Sequence, residues 1–398
     1  MMKRLLKISL DISLFSFIPV VSWFLLGIII DNKLINIFTI TYPLQFVYYI
    51  IKCIFSVGAN ISKEKDKNKN AVMSGIVTGI IVAALSFGFV LWKVEDYISF
   101  MNMDVLVYKT FTIYTIILLF FQVVFSFILD KLYYEEKNSL ANKYSIIFNA
   151  INFVILILTS LITKNQMVIV TTTIVPVAIF TIYILIKSSN KFKYNLNIKN
   201  CIKYDSVELI SNIFYLLIFL FGLSTAFEYG PKYAAALTFV SLITDTQWDT
   251  TDAIVTAAQI DISKGSYNYK ESRNNAYKLL IILFLTTIIM YFCLFGFYNL
   301  DIKITMIYLS VEFITFLIYP LYRLKICYLQ LEWSAVKATT NKILALIIRF
   351  VCSFIKSPFC TGIGQVISAI YQFVTYQLIF RKKYYVNKSG TIIKRLNK

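Results

Sequence analysis

The sequence predicts an all-α polytopic membrane protein, with twelve transmembrane helices in two six-helix bundles related by an internal pseudo-two-fold axis. Three observations predict it. The 398-residue chain holds twelve stretches of about twenty apolar residues, the length that crosses a ~30 Å hydrocarbon core as a helix. Basic residues crowd into every second gap between the stretches. The polar loops after the second and fourth stretches recur, in kind, after the eighth and tenth.

In chain order the spans are 8–30, 34–56, 71–92, 105–129, 144–163, 166–186, 206–227, 233–258, 276–298, 302–322, 338–356 and 360–380. The first follows Lys3, Arg4 and Lys7 as a signal peptide would, but the apolar run is too long for a typical h-region and no small-x-small cleavage site follows. It is read as a retained helix. Pro19 in span one, Pro43 in span two, Pro176 in span six and Pro320 in span ten each remove a helical hydrogen bond. Pro19 and Pro43 are the candidate hinges. The charged segment 187–205 separates the halves, so that 1–186 forms the N-terminal bundle, 206–380 the C-terminal bundle, and 381–398 a basic tail.

The charges orient the chain. Of 39 Lys and Arg, 30 fall before span one, after the even-numbered spans or in the tail; only seven (Lys33, Lys93, Lys109, Lys164, Lys232, Lys303, Lys356) lie on the other side. The positive-inside rule then places both termini in the cytoplasm, with the cell membrane as the expected location. Lys52 and Arg349 remain inside spans.

Composition narrows the function classes. With 58% hydrophobic and 15% charged residues, the chain is spent on its spans and leaves no room for a soluble catalytic domain. A net charge of +18 could suit nucleic acid, but the basic residues sit in short juxtamembrane loops, where anionic lipid headgroups attract them. Membrane lipids are expected partners and nucleic acid is not. The six cysteines include no Cys-x-x-Cys pair and there is no histidine, so no metal site is assigned and proton handling would fall on carboxylates. No enzymatic motif or organic cofactor is expected.

The sharpest local signal is Thr244-Asp245-Thr246-Gln247-Trp248-Asp249-Thr250-Thr251-Asp252 in span eight. Spacing i, i+4, i+7 places Asp245, Asp249 and Asp252 on one helical face. Each carboxylate in a span costs about 3 kcal/mol on an insertion scale, so the stripe must face water, a cation or a basic partner. Neighbouring carboxylates in low dielectric favour uptake of a proton or cation, and Trp248 beside them offers an aromatic face to a lipophilic cation. The competing reading breaks span eight near Thr244 to Thr251, leaving the aspartates in a hydrated loop or capping a fragment. Glu312 in span ten and Arg349 in span eleven are candidates for an interior pair, for structure or for substrate contact. Gln365, Ser368, Gln372 and Thr375 form a polar stripe along span twelve.

Two loop motifs carry a family resemblance. The loop after span two reads Ser56-Val57-Gly58-Ala59-Asn60-Ile61-Ser62-Lys63, and that after span eight Thr256-Ala257-Ala258-Gln259-Ile260-Asp261-Ile262-Ser263-Lys264. Tyr134-Glu135-Glu136-Lys137-Asn138-Ser139 after span four matches Gln330-Leu331-Glu332-Trp333-Ser334-Ala335 after span ten. Over nearly its whole length, the chain resembles the multidrug and toxic compound extrusion (MATE) transporters, of the superfamily that also holds polysaccharide and lipid-linked oligosaccharide flippases. The resemblance implies alternating access between two bundles, with Na⁺ or H⁺ as coupling ion; a monomer is expected. The substrate would be an organic or drug-like cation for export or, in the alternative, a lipid-linked oligosaccharide or polysaccharide precursor for flipping. In many bacterial members an Asp in the first helix binds the coupling cation; in Trp23-Phe24-Leu25-Leu26-Gly27, Leu26 takes its place, and Asp31 lies at the helix end.

Overall fold

The computed structural model describes residues 20–135, 137–189, 192–263, 266–298, 300–330, 335–387 and 389–394. Its helices are α1 (Val20–Ile29), α2 (Asn36–Lys52), α3 (Gly58–Lys65), α4 (Ala71–Trp92), α5 (Val94–Phe100), α6 (Val105–Tyr134), α7 (Asn138–Ile162) and α8 (Gln166–Ser188). They continue as α9 (Ile198–Tyr204), α10 (Ser206–Phe227), α11 (Pro231–Ser263), α12 (Tyr269–Tyr298), α13 (Ile302–Gln330), α14 (Ala335–Cys352) and α15 (Cys360–Lys383), before a hairpin of β1 (Tyr384–Val386) and β2 (Ile392–Lys394). Each predicted span falls on a helix where the chain is described, but span eleven, predicted to 356, ends as a helix at Cys352 and span five, predicted to 163, at Ile162. Among the described residues, nine helical stretches are long and apolar enough to cross a membrane. The three other predicted spans are α1, largely outside the described residues; α11, diluted by its aspartates; and the short α14.

Local chemistry sets the helix starts. Asp31 accepts from Lys33 N (2.9 Å), Asp104 from Leu106 N (2.9 Å), Asn165 from Met167 N (3.0 Å) and Asp301 from Lys303 N (3.0 Å). Each side chain satisfies an amide that the first helical turn leaves without a partner. Below Pro43, α2 passes through one π-helical turn, Cys53–Val57, into α3, so the predicted second span is one helical rod, Asn32–Lys65. Pro43 and the π turn ten residues further on are two separate places where the rod can bend.

The described chain forms two compact units, a first of 22–228 and a second of 229–398 together with 20–21. In the first, α4 shows how a span is built. Gly75 and Gly79 lie where a Cβ would come within 2.4 Å of Phe55 O and 2.5 Å of the Phe127 ring, so helices close together on that face. Its opposite stripe, Ile81, Leu85, Phe89 and Trp92, is exposed by 54 to 75%, as suits a lipid-facing surface. The α10 helix, which the sequence groups with the C-terminal bundle, packs along α2 within this first unit. Phe219 stacks on Phe46 at 5.4 Å and meets Tyr42 edge-on at 4.8 Å.

The segment 187–205 is ordered over its described part. Asn68 and Ser74 bond the Asn195 backbone (3.0 and 2.9 Å), Asn197 caps α9, and Gly58 lies against Cys201 O, closer than a side chain allows. Asp66 accepts from Ser62 (2.6 Å), Asn200 (3.1 Å) and Tyr204 (2.5 Å). The Ser62 and Tyr204 hydroxyls hold its carboxyl below the ordinary value.

In the second unit a core of Ile254, Ala257, Leu279, Tyr322, Leu324, Tyr376 and Phe380 joins α11, α12, α13 and α15. The terminal hairpin packs on it through Tyr384 and Ile392.

Candidate functional site

The α11 helix is unbroken from Pro231 to Ser263, so the aspartates of span eight stand on a continuous helix. Asp245 is half-buried and engaged with neighbouring groups. The side chains of Asp249 and Asp252 lie outside the described residues, as does Pro19.

One turn from Asp245, Trp248 joins α11 to α13. Its Nε1 donates to Glu312 Oε2 at 2.9 Å, and its ring lies 4.4 Å from Phe316 and 5.6 Å from Tyr319. The indole is thus a packed donor, with one face taken up by Phe316. Gln247 reaches the other way, donating to Leu283 O at 3.1 Å and to the Thr287 hydroxyl of α12.

Glu312 is the centre of the site. Its Oε2 also accepts from Gln365 Nε2 of α15 at 2.9 Å, and Gln365 Oε1 accepts from Arg349 Nη2 of α14 at 3.1 Å. The two charges predicted as an interior pair are therefore linked through a glutamine, and Arg349 acts electrostatically on the carboxylate. Four helices contribute one residue each: Trp248, Glu312, Arg349 and Gln365. Among the described residues both hydrogen bonds fall on Oε2 and Oε1 accepts none. A carboxylate held by one oxygen, with the other open, can take up a proton or a small cation without losing its orientation.

The first unit holds polar pairs of a different kind. Leu26, which the sequence resemblance sets against the family's first-helix aspartate, is fully buried, and Asp31 is occupied as a cap. Tyr114 donates to Asn152 at 2.7 Å and Asn36 to Tyr108 Oη at 2.9 Å, all four buried. Lys52 Nζ lies 3.2 Å from Asp130 Oδ1, and Ser56 Oγ donates to Asp130 Oδ2 at 2.7 Å. Asp130 went unmarked in the sequence because it closes span four beside Lys131 and reads as a loop acid. The signal available was its place on the last apolar turn, opposite the only cation of span two. Among the described residues no three Cys, Asp or Glu side chains converge as a metal site.

No family model and no curated protein matches this sequence. Solved structures do. An inward-facing multidrug resistance MATE family transporter of the MOP superfamily superposes with a TM-score of 0.68, covering 96% of this chain and 98% of that one. This chain has the MATE fold. Identity is only 12%. An outward-facing structure of a MATE family transporter matches at TM-score 0.58 and 12% identity over 96% of each chain. A MATE structure in a bent conformation matches at 0.56 and 13% identity, covering 96% of this chain and 95% of that one. The fold likeness spans essentially the whole of each transporter, and the MATE resemblance of the loops is borne out at the level of architecture.

Proposed function

We propose that the chain is a secondary active transporter working by alternating access, which exports an organic or drug-like cation in exchange for Na⁺ or H⁺. The observation that carries this reading is the open oxygen of Glu312. A carboxylate within a span persists only where proton, cation or counter-charge compensates it, and here the compensation is partial: two neutral N–H donors on one oxygen, an arginine one residue removed, and, among the described residues, no donor on the other oxygen. The fold likeness to MATE structures captured inward-facing and outward-facing supports alternating access. On this reading Asp245, Asp249 and Asp252 extend the negative stripe of α11, residues 206–380 repeat the design of 1–186, both termini are cytoplasmic, and the monomer is the working unit.

The competing substrate is a lipid-linked, anionic glycan. Such a substrate needs uncompensated positive charge inside the spans. Lys52 is ion-paired with Asp130 and Arg349 is committed to the Gln365–Glu312 chain, which favours the cation. The test is uptake of a fluorescent lipophilic cation into proteoliposomes under an imposed Na⁺ or pH gradient. Uptake that follows either gradient is the expected result. Gradient-insensitive vesicles that instead translocate a lipid-linked oligosaccharide would overturn the reading.

A further inference from the structure

Lys325 is 7% exposed near the end of α13. Its Nζ meets Gln377 of α15, and the rings of Tyr269, Phe373 and Phe380 stand 5.8, 5.8 and 5.9 Å away. The charges that act on it are Arg273, from α12, and Arg381, from the last turn of α15. Both repel it. Among the described residues none of the three forms an ion pair with a carboxylate. Three cations around a wall of aromatic rings, with no ion-paired carboxylate among the described residues, form a site that is completed from outside.

The surroundings identify the anion. Arg381 continues a face of α15 on which Ile367, Ile370, Val374 and Leu378 are exposed by 43, 46, 47 and 58%. That face is an apolar track suited to acyl chains, and it leads directly to a guanidinium. Beyond it the terminal hairpin closes the site. Tyr384 is seated 5.3 Å from Tyr328 and 5.4 Å from Phe380, Tyr269 N donates to Gly390 O at 3.0 Å, and Asn268 donates to Ser389 O at 2.8 Å. Tyr385, on the opposite face of the strand, is 45% exposed, as an interfacial aromatic would be. Residues 381–394 contain no acid.

We propose that Lys325, Arg273 and Arg381 bind the phosphodiester headgroup of an anionic phospholipid whose acyl chains run along Ile370, Val374 and Leu378. This site belongs to the second unit alone and does not depend on the substrate carried. The experiment uses the purified, delipidated full-length protein, titrated with phosphatidylglycerol, phosphatidylcholine or inorganic phosphate, with lipid retention read by native mass spectrometry and stability by thermal unfolding. Phosphatidylglycerol is expected to be retained and to raise the unfolding temperature; phosphatidylcholine and inorganic phosphate are not. Each cation removed should weaken phosphatidylglycerol retention about fivefold, the effect of one Lys or Arg near an anionic surface. Arg381→Gln is the primary variant, since Arg381 is exposed; Lys325→Gln with Arg273→Gln is the stronger one. Equal stabilisation by both lipids, reproduction of the effect by inorganic phosphate alone, or unchanged retention by Arg381→Gln would each overturn the proposal.

Discussion

Replacing Asp130 by Asn isolates one charge in the first unit. Lys52 Nζ lies 3.2 Å from Asp130 Oδ1, with side-chain exposures of 27% and 15%, and Ser56 holds the other carboxylate oxygen at 2.7 Å. Asparagine keeps the shape and can still accept from Ser56, so what disappears is the charge opposing Lys52. Breaking a fully buried pair costs roughly 3–5 kcal/mol. The quarter of Lys52 that stays exposed allows some rehydration and lowers the expected loss to about 2 kcal/mol. Thermal unfolding in detergent should show Asp130→Asn markedly destabilised. The double variant Lys52→Met with Asp130→Leu removes both charges and should recover most of the loss, giving a coupling energy well above experimental error. Wild-type stability in Asp130→Asn, or a double variant no better than the worse single one, would refute the assignment of the pair as a mutual neutraliser. It would also reopen Lys52 as a contact for an anionic substrate.

Three further outcomes follow from contacts described above. Gly58→Ala would put a Cβ 2.5 Å from Cys201 O, a backbone atom that cannot swing aside, so α9 should lift at a cost of about 1–3 kcal/mol and trypsin should cut faster at Lys199 and Lys203. Asp66 is held below the ordinary carboxylate value, so its bonds to Tyr204 and Asn200 are at full strength above that value and are lost as pH falls through the lowered one. Proteolysis of 192–204 should therefore accelerate only in acid, and Tyr204→Phe should move that onset to higher pH. Gly390→Ala faces both a φ of +92° and a 2.2 Å approach to Asn268 Oδ1, so it should detach the hairpin and speed cleavage after Lys382 and Lys383 without changing helix content.

The spans were legible because a hydrocarbon solvent leaves the chain few options. The predicted 71–92 and 206–227 are the observed α4 and α10, and even α11, whose aspartates depress its hydropathy, is continuous where the sequence allowed a break. Helix ends were less legible: α7 begins at Asn138 and α12 at Tyr269, because polar first turns project past the apolar run. Glu312 and Arg349 stood out as charges within spans, yet their link through Gln365 is a tertiary meeting of three helices that no spacing encodes. The tail read as a basic extension; Asn387-Lys388-Ser389-Gly390 between two apolar pairs was a turn signal overshadowed by its charge. The grouping of α10 with α2 rests on aromatic stacking among Tyr42, Phe46 and Phe219, which a twelve-span pattern is blind to.

On the proposed reading, Glu312 holds the coupling ion or the transported cation. Gradient-driven uptake of a fluorescent cation can be compared in proteoliposomes carrying wild-type protein, Glu312→Gln or Arg349→Gln at matched, correctly inserted amounts. Glutamine can still accept from Trp248 and Gln365, so Glu312→Gln should unfold near the wild-type temperature while gradient-driven uptake falls to the level of empty vesicles. Uptake by Glu312→Gln at the wild-type rate, with activity lost in Arg349→Gln instead, would show that Glu312 does not hold the cation.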